Sequence, residues 1–182
     1  MSTAKQPPEP WHSFLRDLDQ AVDTTVRLDC IGGFVVTQFY GLERPTADLD
    51  VIELAPQQAS DRLMSLAMQG SPLHRKYGIY LDRVGVAVIP ENYEHRLVEM
   101  YPGAYQHLRL MALDPYDIAL SKLERNNQKD RDDVRFLART VPLDLSLLEE
   151  RYRTELRWQL GNPDREDLTM QLWIEMLIET GQ

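Results

Sequence analysis

The sequence predicts an α/β fold of the α+β kind, with a mixed sheet flanked by helices in its first two thirds and a helical C-terminal part. Three observations carry this expectation. Short apolar runs of strand character alternate with helical periodicity up to about residue 113. Glycine and proline mark the boundaries between them. After Asp114-Pro115 the periodicity is helical almost throughout.

A chain of 182 residues is long enough for a sizeable core carrying a helical appendage. The expected organisation is a disordered lead over 1–10, an α/β core over 11–113 and a helical part packed on it over 114–182. No apolar run approaches the roughly 20 residues needed to span a bilayer, so no membrane partner is expected. The start, MSTAKQPPEP, lacks the apolar centre of a signal peptide, and a single cysteine, Cys30, rules out an intrachain disulfide. Both point to the cytoplasm. The formal charge of −9 means that any contact with a polyanion must be local.

Taken in order, Trp11, Phe14, Leu15, Leu18, Ala21 and Val22 recur at helical spacing and predict a first amphipathic helix. Arg27 to Ile31 reads as a short strand, Gly32-Gly33 as a turn, and Phe34 to Tyr40 as a helix that Gly41 stops. Arg44-Pro45-Thr46 forces an extended or turning backbone, and Ala47 to Leu54 reads as a second strand. A helix over Pro56 to Met68 ends at Gly70-Ser71-Pro72. Tyr77 to Ile89 is strand-like, with Tyr80, Asp82 and Val84 on one face, which puts Asp82 in a mostly apolar setting. His107 to Leu113 is a further strand, Asp114-Pro115 opens a helix over most of Tyr116 to Arg139, and two more helices follow, at about 145–160 and from Gly161-Asn162-Pro163 to about Glu179.

The stretch with chemistry in it is GGFVVTQFYGLERPTADLDV, residues 32–51. Asp48 and Asp50, at i and i+2 of a strand, project from one face and suit a hard divalent cation that completes its shell with water and substrate phosphates. A glycine pair at a helix start lets phosphate oxygens approach the free N–H groups of the first turn. Either feature alone is commonplace, but their order is much less so. The segment resembles the nucleotidyltransferase superfamily of DNA polymerase beta. Within it, Gly32-Gly33, Arg44-x-Thr46 and Asp48-Leu49-Asp50 are most similar to AbiEii-type abortive-infection toxins and related bacterial nucleotidyltransferase-like proteins.

The resemblance, sharpest at about residues 31–52, implies a nucleotidyltransferase-type sheet. It further implies that Asp48 and Asp50 bind Mg²⁺ or Mn²⁺, and that Gly32, Gly33, Arg44 and Thr46 hold a nucleoside triphosphate. It also asks for a third carboxylate on a neighbouring strand. Asp82 is the best match, as a metal ligand that also orients or deprotonates an attacking hydroxyl; Asp29 is a competitor placed just before the glycine turn.

The segment Asp117 to Val134 resembles the superfamily's later motif, a helix lysine followed by a basic and acidic run. In a continuous helix, at about 100° per residue, Lys122, Lys129 and Asp133 share a face. Lys122, and beside it Lys129, would then neutralise phosphate charge as pyrophosphate leaves. The same geometry turns Asp130 toward an apolar face, so either Asn126-Asn127-Gln128 breaks the helix or Asp130 has a buried basic partner. The four histidines have no paired ligand spacing, which argues against zinc. Trp158 and Trp173 read as packing residues of the C-terminal helices.

The expected function is Mg²⁺-dependent transfer of a nucleoside monophosphate from a triphosphate to a tRNA end or a protein hydroxyl. The toxin likeness adds an antitoxin protein as a partner. The alternative is a non-catalytic module of the same fold that binds nucleotide or a protein partner.

Overall fold

The computed structural model describes residues 6–181, with Glu53 described by its backbone alone. Within the expected lead, residues 1–5 lie outside the described residues; Glu9 accepts hydrogen bonds from the backbone N–H and hydroxyl of Ser13. The chain divides into two compact units, one running to Val86 and including Leu97–Ala112, the other made of Ala87–Arg96 and everything from Leu113 onward.

The first unit holds the mixed sheet. Its strands are β1 (Val26–Ile31), β2 (Asp48–Ala55), β3 (Tyr80–Arg83), β4 (Val98–Met100) and β5 (Leu108–Ala112), in the order β3-β2-β1-β5-β4. β1 runs antiparallel to β2 and parallel to β5, β2 is parallel to β3, and β4 is antiparallel to β5. Leu28 and Cys30 of β1, Leu49 and Val51 of β2 and Leu81 of β3 are fully buried on the core side of the sheet, and central β1 buries Asp29 and Ile31 on its other face as well.

Helix α1 (Trp11–Gln20) buries Trp11, Phe14, Leu15 and Leu18. Its end is fastened to β5 by Asp19, whose carboxylate accepts from the N–H groups of Gln106, His107 and Leu108 at 2.7–3.0 Å. Helix α2 (Gly32–Phe34) continues as a π-helical turn over Val35–Phe39. α3 (Gln57–Ala67) packs on β2 and β3.

Two expectations change in this unit. The Tyr77 to Ile89 strand shortens to β3, because Ser71-Pro72 does more than end the preceding helix. Ser71 caps a new helix, α4 (Pro72–Tyr77), by accepting from His74 N–H, and left-handed Gly78 closes it. The second change is the edge strand β4, which three residues with exposed Val98 and Glu99 do not announce by alternation.

The second unit is helical: α5 (Pro115–Leu120), α6 (Gln128–Thr140), α7 (Leu145–Arg151) with a π-helical extension over Tyr152–Leu156, and α8 (Pro163–Glu179). Asp114, Asn127, Asp144 and Asn162 cap their four starts. Leu120, Leu123, Val134, Leu148, Tyr152, Leu156 and Trp173 form the core. Trp173 also donates its indole N–H to Asn126 at 2.9 Å, whereas Trp158 is 66% exposed and does not pack as expected. The segment Ala87–Arg96 is held on this unit by Arg96, which forks onto Asp117 and Glu155 at 2.8–3.2 Å.

The continuous helix expected over Tyr116 to Arg139 is broken at 121–127. Both open alternatives for Asp130 hold. Asn127 starts a new helix with a capping box to Asp130, and Asp130 also has basic partners. Among the described residues no helix is long and apolar enough to cross a membrane.

Candidate functional site

The glycine turn and the acidic strand meet. β1 ends at Ile31, and Gly32 turns the chain with φ +73°, a conformation that costs other residues about 1–2 kcal/mol. Space excludes them as well, because a Cβ on Gly32 would fall on the Asp50 carboxylate. A Cβ on Gly33 would lie 3.1 Å from Thr46 Oγ1 and 3.7 Å from Arg44 Nη2. Gly32, Gly33, Arg44, Thr46 and Asp50 are therefore one neighbourhood, brought together by the β1–β2 pairing that sets Ile31 opposite Asp50.

Asp48 and Asp50 stand on the same face of β2, half-buried, with buried Leu49 and Val51 on the other. Thr46 donates its hydroxyl to Asp48 Oδ1 at 2.9 Å, which orients that carboxylate from the strand's own lead-in. Parallel pairing with β3 sets Asp82 in register with Asp50, and Tyr80 with Asp48. Three carboxylates thus share one face across two neighbouring strands. Tyr80 stands with them. Burial raises its phenol pKa first, and Asp48, Asp82 and Asp50 raise it further, because each carboxylate disfavours a phenolate nearby.

Asp82 is exposed, which replaces the apolar setting expected for it: β3 is the outermost strand on its side of the sheet. Its competitor Asp29 is fully buried and paired with Arg27 at 2.9 Å. Cys30 is buried beside the same strand, and burial, then Asp29 and Asp50, push its thiol far up, so it stays protonated and inert.

Lys122 and Lys129 belong to the second unit. Lys129 is exposed on α6. Lys122 differs from expectation: it is 2% exposed, with Nζ 2.9 Å from Asp133 and 3.8 Å from Asp130. Its charge is committed to two fully buried carboxylates, because the break at 121–127 folds it back onto α6. Arg125 joins them through Nε, 2.8 Å from Asp130. Burial alone would raise the Asp130 pKa, but the Arg125 and Asn127 hydrogen bonds and the two cations outweigh it and hold it low.

Whether a metal fits is a question of donors. Among the described residues no set of three or more His, Cys, Asp or Glu is grouped to hold an ion. Asp48 and Asp50 offer hard oxygen ligands on one strand with Asp82 in register beside them. Mg²⁺ needs only one or two protein carboxylates when substrate phosphates complete its shell. The donor set fits such an ion.

Residues 13–177 match the model of a family described as a nucleotidyltransferase of unknown function (DUF6036). The chain belongs to that family. The match spans both units, and so reaches beyond the glycine turn and acidic strand on which the superfamily resemblance was sharpest. Membership in this family points to nucleotidyl transfer as the class of chemistry for the chain. Comparison with curated proteins and with solved structures gave no match. Sequence reasoning placed Tyr80 on the face of Asp82 but did not count it among the site residues, although its place two residues before Asp82 was a usable signal.

Proposed function

We propose that the chain transfers a nucleoside monophosphate from a nucleoside triphosphate to a hydroxyl-bearing acceptor, with Mg²⁺ or Mn²⁺ held by Asp48 and Asp50. The observation that carries this reading is the contact between glycine turn and acidic strand: Gly32 is a glycine because the Asp50 carboxylate occupies the space of a side chain. A phosphate chain lying against the Gly32-Gly33 backbone is then delivered to the carboxylates of β2. Arg44 and Thr46, around Gly33, complete the phosphate side. A divalent cation, when bound, would supply Lewis-acid activation of the α-phosphate and charge neutralisation at the leaving oxygen.

The protein's own groups have definable parts in the reaction. Thr46 fixes one oxygen of Asp48 by a hydrogen bond and so orients that carboxylate. Asp82, exposed beside Asp50, takes the proton of the acceptor hydroxyl as its oxygen bonds to the α-phosphorus. The bond from that phosphorus to the bridging oxygen breaks, and pyrophosphate leaves. The likeness to AbiEii-type toxins supports a tRNA end or a protein hydroxyl as acceptor, and an antitoxin protein as partner. Lys122 is left out of this mechanism, since withdrawing it would break its 2.9 Å ion pair with buried Asp133.

A second reading, a non-catalytic module of the same fold, is favoured by the absence of a three-ligand metal group among the described residues. Incubation of the protein with Mg²⁺, α-labelled triphosphates and cellular RNA or protein decides between them. Label in either pool, lost in Asp50→Asn, is the expected result. No transfer to either pool favours the module.

A further inference from the structure

The acid face has two unlike sides. Toward β1, Asp50 meets Gly32; toward β3, Asp50 meets Asp82 and Asp48 meets Tyr80. A triphosphate seated on the glycine turn occupies the first side. The attacking hydroxyl must then approach from the second, where β3 is the edge of the sheet.

Tyr80 is built to be there. It stands on the same face as the three carboxylates, half-buried, and among the described residues its hydroxyl takes part in no hydrogen bond. Its ring is held edge-on by His74, with centroids 5.2 Å apart and planes at 80°. The imidazole is itself fixed: its Nδ1 accepts from Gly70 N–H at 2.9 Å, which leaves the proton of the neutral ring on Nε2. Its backbone N–H is capped by Ser71 at the start of α4. A ring positioned this firmly, whose one polar atom has no partner among the described residues, is pre-organised for an external one.

We propose that Tyr80, braced by His74, is a further substrate contact that holds the acceptor through a hydrogen bond next to its attacking hydroxyl. This assignment rests on the nucleotidyltransferase reading above. It predicts a split between the two substrates, because the hydroxyl of Tyr80 faces the acceptor while the glycine turn faces the nucleotide.

The test uses the full chain and its Tyr80→Phe variant. Affinity for Mg²⁺ with α,β-methylene ATP is measured by calorimetry. Transfer from each of the four α-labelled triphosphates is then followed while total cellular RNA, or RNA-free total protein, is titrated as acceptor. Tyr80→Phe is expected to raise the acceptor concentration for half-maximal transfer roughly three- to tenfold, the worth of one hydrogen bond, with analogue affinity unchanged. His74→Ala, which leaves the phenol in place but unbraced, shifts the same quantity in the same direction. If Tyr80→Phe leaves acceptor dependence unchanged, or weakens the analogue instead, the assignment is wrong while the transferase reading stands. If the wild-type protein transfers no label to either pool, the transferase reading falls and this assignment with it.

Discussion

Two groups of aspartates in this chain have opposite fates. Asp130 and Asp133 are fully buried and neutralised by Lys122, with Arg125 added on Asp130. Asp48, Asp50 and Asp82 stand together on a sheet face, from half-buried to exposed, and the contacts that place them include a threonine, a glycine turn and strand register. The first group is closed, since both of its buried carboxylates have cations in contact. The second stands within reach of an outside cation, because Asp48 and Asp50 are half-buried and Asp82 is exposed. Carboxylate count therefore says little about function, and burial against access says more.

The largest effect should come from breaking the closed group. Lys122→Ala breaks the buried ion pair with Asp133 and leaves Asp130 to Arg125, and should cost about 3–5 kcal/mol of stability, a fall of about 10 °C in Tm. Denaturant and thermal unfolding read it directly. Acid has a related effect with a defined sign. The Asp130 pKa is held below its ordinary value, so its contribution is present above about pH 4 and is lost as pH falls through the depressed value. Unfolding followed against pH should show that loss, and Asp130→Asn should flatten it.

On the open group the expectation reverses. Asp50→Asn should lower label transfer about 100- to 1000-fold and cost less stability than Lys122→Ala, since Asp50 is only half-buried. A large loss of stability instead would mean that Asp50 belongs with the closed group. Gly32→Ala sharpens the link between turn and strand. It forces an unfavourable φ and pushes on Asp50, so about 1–3 kcal/mol of stability and at least roughly tenfold in transfer should go together. The smallest effect lies away from both groups. Asp144 caps α7 through the N–H groups of Ser146 and Leu147, and Asp144→Ala should cost about 1 kcal/mol by unfolding, with transfer intact.

Local chemistry explains what could be read in the sequence. The order strand, glycine pair, helix, strand with Asp48 and Asp50 depends on turn residues and period-two alternation, which neighbours along the chain settle. Asp114-Pro115 and Asn162-Pro163 marked their helices for the same reason. β4 escaped because a three-residue edge strand takes its identity from its partner β5. The burial of Lys122 escaped because it depends on where the helix breaks, although Asn127 and Asp130 carry a capping signal that could have placed the break. Trp158 illustrates the limit of composition, since a large apolar residue on a short helical turn points outward here. Register between β2 and β3, which sets Tyr80 and Asp82 beside Asp48 and Asp50, is a property of the folded sheet and had no local signal beyond spacing.

Titration calorimetry of α,β-methylene ATP, with and without Mg²⁺, on the wild-type chain and on Asp50→Asn tests the open acid face most directly. The account predicts binding by the wild-type chain that requires the cation and falls at least roughly tenfold in Asp50→Asn. Binding of equal strength without the cation, or unaffected by Asp50→Asn, would contradict it.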